Sequence, residues 1–480
     1  MKPMSNNVED SIMKEGEFVH PYIPNSVPAV KEEMLREVGA RDAEELYAKM
    51  IPERLRLRRP MELPDALPSE LDLRRHVEGI LEGDGNCADY LSFLGGGCWQ
   101  HYVPAVCDVI AGRSEFLTAY AGGVYSDLGR YQAVFEFQSL IGELLDMEVS
   151  GIPTYDWGAA AGNAVRMASR ITGQREVVVP RTMSPARLSI ISNFCDSVER
   201  QGRIKVRTVG FDPDTGMMDT GDLEEKVSDE TACVYFENPS YLGAIEAQGN
   251  EISSLAHDHG AEVVVGVDPI SLGVLAPPGD YGADIVCGEA QPLGIHMHAG
   301  GGSCGFIASR DDERYVGEYP LRLISVTETE EEGEYGFGQC RYERTSYIAR
   351  ENAKDWVGTT VGLWAIASAV YMSLMGPHGM RELGEHIIQK SNFAAKRLTE
   401  IWEVRVLFPG FFKEFVVNLD EKKKTVSEVN EALLGHRIFG GKDISGEFPE
   451  LGNSSLYCVT EVHSKGDVDR LASALEEVLE

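Results

Sequence analysis

Lysine is missing from a long central stretch: none occurs between Lys226 and Lys354, so no ε-amine there is available for Schiff-base chemistry. Basic residues are scarce throughout, 44 against 77 acidic for a net charge of -33. That balance repels phosphate and argues against nucleic acid and anionic membranes as partners. The nine cysteines are scattered from Cys87 to Cys458 with no C-x-x-C pair and no histidine at metal spacing, which leaves no sign of a zinc site or a disulfide framework. The first residues, MKPMSNNVEDSIMKEG, hold no apolar h-region. The longest apolar run, Val361 to Gly376, contains serine and is shorter than the roughly 20 residues a spanning helix needs. It reads as a buried or interface helix, and a cytoplasmic location is expected. Internal repeats are absent, and the one dense charge run, Glu328 to Glu334, reads as a solvated loop.

What the chain does have is the composition of a soluble globular protein, 43% apolar and 25% charged over 480 residues. It is organised around Val263 to Ser309, where three short apolar runs, 263–267, 285–287 and 305–308, end in small, acidic or turn-forming residues. Runs this short and β-branched suit buried strands. Asp268 then falls just past a strand end, where open α/β sheets place ligand-binding groups. From Ile152 to Gly260 helical and strand-like segments alternate, the pattern of a parallel sheet covered on both faces. Ahead of it lies a Pro-punctuated, amphipathic arm (1–85); the large α/β domain is expected over 86–334. A small domain over 335–480 is expected to hold a helix from Arg350 to Met375, a second helix from Gly376, strands at RVLF and EFVVNL, and a closing strand and helix. The arm, the small-residue helix after Trp157 and the helix after Trp356 carry apolar surface that predicts pairing with a homologous chain.

An Asp after such a strand, followed by a Gly-rich loop, suggests the aspartate-aminotransferase-like large domain of fold type I pyridoxal phosphate enzymes. Within that class, DPISLGVLAPPGDYGADIVCGEAQPLGI and the following Gly run resemble subunit 1 of glycine dehydrogenase (decarboxylating), the P-protein of the glycine cleavage system in its two-chain form. The segments around Phe93–Gly95, His101–Ala105, Thr118–Tyr120 and Gln132–Gln138, and GPHGMRELGE in the tail, are similar to the same family. The resemblance implies a heterotetramer with a Lys-bearing subunit 2 that holds pyridoxal phosphate covalently, decarboxylates glycine and passes the aminomethyl group to lipoylated H-protein. Leu293 stands about where subunit 2 has its Lys. This chain would have no catalytic residue of its own and would complete a shared pocket with His101, Tyr102, Tyr120, Gln291, His296, His298, Gly300, Gly301, Gly302 and Arg350. Asp268 would be a relic of the cofactor site.

Three ligand-facing segments depart from the family pattern: 121–129, 155–161, where Trp157 replaces a Gly, and 350–358, where Lys354, Asp355 and Trp356 replace a Thr-Ser-Asn triplet. They leave open a diverged non-catalytic or regulatory paralogue, or the partner of a related pyridoxal phosphate enzyme acting on another amine.

Overall fold

The computed structural model describes residues 19, 21–57, 62–67, 69–116, 128–196, 202–340, 342–346, 354–355, 357–358 and 360–480. The chain divides at Asp84/Gly85. The first unit carries helices α1 (Pro28–Glu37), α2 (Ala43–Met50) and α3 (Glu70–Leu81), none with a buried residue. Local signals set the last two: Asp42 and Ser69 cap them by accepting from Glu45 N and Asp72 N.

The second unit opens with β1 (Leu91–Ser92), α4 (Ala105–Ala111) and α5 (Tyr131–Leu145). Then come β2 (Val149–Ser150), α6 (Trp157–Thr172), β3 (Glu176–Pro180), α7 (Pro185–Cys195), β4 (Lys205–Val209), α8 (Thr220–Lys226), β5 (Thr231–Asn238) and α9 (Gly249–Asp258). The organising stretch supplies β6 (Glu262–Val267), β7 (Ile285–Glu289) and β8 (Gly305–Ser309). These strands form one seven-stranded sheet in the order β2-β8-β7-β6-β5-β3-β4. Side chains alternate between two apolar cores: Val263, Val265 and Val267 enter one and Val264 the other, as the two-residue period of a strand buried on both faces requires.

The sheet is mixed rather than wholly parallel, because β8 runs antiparallel to both β7 and β2. A parallel return needs a crossover, usually a helix. The segment between β7 and β8 forms turns instead, with a short 3-10 turn at His298–Gly300.

After α10 (Glu313–Val316) and the hairpin β9 (Ile324–Glu328)–β10 (Tyr335–Gln339) comes the long α11 (Gly362–Thr399), broken at Gly376 (φ 56°) ahead of Pro377. This is the expected helix pair, but it starts later than Arg350. Residues 354, 355, 357 and 358 are held outside the helix, since Val357 N donates to Pro320 O and Asp355 bonds Arg166 on α6 at 2.7 Å. The last layer contains β11 (Arg405–Val406), β12 (Glu414–Asn418), α12 (Val426–Gly435), β13 (Ile438–Phe439), β14 (Lys442–Asp443), β15 (Ser454–Cys458) and α13 (Lys465–Leu479). Its antiparallel sheet has the order β11-β12-β15-β14, while β13 pairs with β1.

Two of the surfaces expected to pair with another chain are consumed internally. Helix α6 buries eleven residues, Trp157, Ala161 and Val165 among them, and the first half of α11 buries Ala365, Ile366 and Tyr371. Small residues there serve close packing within the chain: a Cβ on Gly162 would come within 2.7 Å of the Phe194 ring on α7. Among the described residues no helix is long and apolar enough to cross a membrane.

Candidate functional site

The carboxyl ends of β5, β6 and β7 lie on one rim of the sheet and carry Glu237, Asp268 and Glu289 in turn. All three carboxylates are buried, so each demands a partner. Glu237 receives two bonds from Arg187 of α7, both 2.7 Å, and one from Tyr235 Oη at 2.9 Å. The Arg187 guanidinium also lies 4.1 Å from the centre of the Trp157 ring. Glu289 accepts from Cys304 N at 2.5 Å, Gln291 N at 3.0 Å and Trp157 N at 3.2 Å; burial nevertheless pushes its carboxyl up to about 7.

Asp268, 4% exposed, accepts from Ile270 N at 3.2 Å. Its other oxygen meets Lys413 Nζ at 2.7 Å, an ionic contact outside hydrogen-bond alignment. Lys413 precedes β12 and is 2% exposed; its ammonium also sits 3.6 Å over the Trp99 ring and 3.1 Å from His101 Nε2. An ammonium can only donate, so His101 Nε2 is the acceptor and Nδ1–H donates to Glu461 at 2.8 Å. The Gly95–Gly97 turn closes the wall: Gly96 N donates to Glu414 at 2.6 Å, and a Cβ on Gly95 would stand 2.1 Å from that carboxylate. Between Trp99, Trp157, Arg187, Asp268 and Lys413 the remaining space is about 10 Å³, at most one water.

That geometry does not fit pyridoxal phosphate in this chain. The space left between the two indoles at the strand ends is about 10 Å³, and the Asp268 carboxylate is already paired. The amides at the start of α6, a natural anion site, are taken by Asp156, which accepts from Ala159 N at 2.7 Å, and by Glu289. Leu293 is fully buried in the apolar core.

Of the residues picked from sequence, His101 turns inward at 8% exposure while Tyr102 faces out at 66%. Gln291 is buried and clamps Trp99, accepting from its N–H at 3.0 Å and donating to its carbonyl at 3.1 Å. His296 is exposed and pairs with Asp108 at 3.0 Å, and His298 stacks on Trp364 with centroids 5.1 Å apart. Gly300 and Gly301 are exposed and Gly302 is buried. Tyr120, Arg350, Trp356 and most of the 121–129 loop lie outside the described residues. Lys354 and Asp355 turn inward, Lys354 to Glu318 and Asp355 to Arg166 and Arg170. Sequence reading missed Lys413, Arg187 and Glu237. The available signal was a single cation inside the apolar run FFKEFVV.

Comparison with known proteins decides the family. A profile for the glycine cleavage system P-protein matches residues 20–475. The chain belongs to the glycine cleavage system P-protein family. Among P-protein relatives, the probable glycine dehydrogenase (decarboxylating) subunit 1 of Staphylothermus marinus is 36% identical over 468 residues, 96% of this chain and 98% of that protein. That of Pyrococcus furiosus is 39% identical over 462 residues, 95% and 99% respectively. The crystal structure of an inhibitor-bound glycine decarboxylase (P-protein) superposes with a TM-score of 0.80 at 33% identity, covering 96% of this chain and all of that one. A Lactobacillus brevis glutamate decarboxylase shares the fold alone, at 14% identity and a TM-score of 0.65. The P-protein chain thus has the fold type I, aspartate-aminotransferase-like architecture.

The Glu461 contact makes a pH prediction. Burial works to raise this carboxyl, but the hydrogen bonds donated by His101 Nδ1–H and the Tyr102 N–H overcome it and bring it from 4.5 down to about 2. A carboxyl depressed on folding adds stability that is complete above the unfolded value and is lost as pH falls from about 4.5 through 2. Melting curves across that window should show Glu461→Gln with a flatter acid limb than the parent chain; parallel limbs would refute the assignment.

Proposed function

We propose that this chain is the Lys-less subunit 1 of a glycine dehydrogenase (decarboxylating) and works only with a Lys-bearing subunit 2. The observation that carries this reading is a near full-length family match in a chain whose own strand-end site is closed by Lys413, Trp99 and Trp157. Pyridoxal phosphate, bound in the partner, would supply the electron sink that glycine decarboxylation needs. This chain's residues would shape and cover the partner's pocket and keep water from it. The surface offered for that role is Tyr102 and the exposed loop His296–Gly301, in which His298, Ala299 and Gly300 all have positive φ. Non-glycine residues held in that region mark backbone fixed by its surroundings.

Pairing is further supported by the arm, where Tyr22, Met50, Leu55 and Leu57 are 67–85% exposed, more apolar surface than a free helical segment keeps in water. The aminomethyl group would pass to lipoylated H-protein in the cytoplasm, within a heterotetramer. Carbon dioxide release from glycine, assayed with both subunits and H-protein, should need this chain; undiminished activity of subunit 2 alone would refute the proposal. A second reading, a diverged partner for another small amine, is favoured by the inward turn of Lys354 and Asp355. Turnover of a different amine, with none of glycine, would select it.

A further inference from the structure

Among the described residues, the main charges at the strand ends are met from within the chain. Asp268 faces Lys413, Glu237 faces Arg187, and the opening amides of α6 face Asp156 and Glu289. The Lys413 side chain, 3% exposed, meets the Asp268 carboxylate, the His101 Nε2 nitrogen and the Trp99 indole face, and the buried Glu414 carboxylate lines the same pocket. An ammonium is attracted to each of them. The same ring of contacts ends on a short piece of backbone. Trp99 is gripped by Gln291 at both its N–H and carbonyl; Gln100 O accepts from Thr460 Oγ1 at 2.6 Å; Tyr102 N donates to Glu461 at 2.7 Å. Thus Lys413 touches two of the four residues from Trp99 to Tyr102, and Tyr102 is the one whose side chain is presented outward.

We infer that the strand-end pocket is a self-ligated site: Lys413 is its resident cation on Asp268, and the filled pocket braces Trp99–Tyr102 so that Tyr102 is displayed on a fixed backbone. The brace is a property of this chain alone and stands whatever reaction the assembly performs. It assigns Lys413 a positioning role, since it touches neither substrate nor cofactor. A buried carboxylate that loses its cation is left uncompensated, so the charge of Lys413, and not only its bulk, should be needed.

Lys413→Ala removes the atoms of a propylammonium ion, which makes chemical rescue a direct test. The full-length Lys413→Ala chain should melt several degrees below the parent. Added n-propylammonium should restore the midpoint in a saturable way, whereas 1-propanol, equal in shape but uncharged, should not. Tyr102 supplies a second readout. Limited proteolysis at the 99–102 segment should speed up in Lys413→Ala and slow again with the amine. If Lys413→Ala does not fold, the double variant Asp268→Asn/Lys413→Met, which keeps the bulk and leaves Asp268 with no charge to pair, should fold and melt above Lys413→Met alone.

Three results would overturn the inference. One is a Lys413→Ala midpoint within about a degree of the parent. Another is rescue by propanol equal to that by propylammonium. The third is a double variant no more stable than Lys413→Met alone. Because all these measurements are made on this chain by itself, they fail or succeed independently of glycine turnover.

Discussion

Replacing Arg187 with alanine should destabilise the second unit by about 3–5 kcal/mol, the usual cost of removing one partner of a buried ion pair. Glu237 has a side chain with no exposed surface and takes both of its 2.7 Å bonds from this one guanidinium. Alanine would leave Tyr235 as its remaining bonded side chain. It would also strip the face of Trp157, which Arg187 covers at 4.1 Å. Urea unfolding followed by fluorescence should show the midpoint fall with the slope unchanged. The double variant Arg187→Met/Glu237→Gln should recover much of the loss, because two charges removed together leave neither buried alone. A single variant as stable as the parent would mean that water reaches Glu237 and that the pocket is not closed.

The strands of the large sheet were legible because burial on both faces writes continuous β-branched runs between turn residues, as in Val263–Val267 and Val177–Val179. Asp268 was legible for the same reason, as the first acidic residue after such a run. The direction of β8 was not, since an apolar pentapeptide reads alike either way and only the path of the preceding loop sets it. The filling of the pocket was less legible still. Lys413 and His101 are 312 residues apart, and nothing local in FFKEF says that its cation turns inward. A gap in lysine between Lys226 and Lys354 removes the Schiff base but does not predict an ammonium arriving from beyond the gap. His101 and Tyr102 teach a smaller lesson: both matched family segments, yet adjacent side chains face opposite ways, one into the closed pocket and one into solvent.

The loop from His296 to Gly302 yields the largest expected effect on activity. Its backbone is folded tightly, with Gly300 N and Gly302 N both donating to Met297 O at 2.9 and 3.0 Å. A Cβ on Gly302 would fall 1.9 Å from His296 O and 3.1 Å from the His298 ring. The first of these atoms is backbone, so the loop itself must move. If the loop covers the partner's pocket, a shift of about 1 Å can cost on the order of a hundredfold in rate. Gly302→Ala should therefore lower turnover of the reconstituted complex by about that factor, with the chain still folded by circular dichroism, since the neighbouring residues 298–301 are exposed and can give way. The histidines are a different case. His296 is tied to the exposed Asp108 and His298 lies on Trp364, contacts that hold the loop weakly because surface pairs contribute about 0–1 kcal/mol. The His296→Ala/His298→Ala double variant should keep turnover within about tenfold, as loss of two weak surface contacts predicts. Full activity in Gly302→Ala would remove the loop from the pocket. Lost activity in the histidine variant, with assembly intact by light scattering, would instead assign the imidazoles a direct part in the reaction.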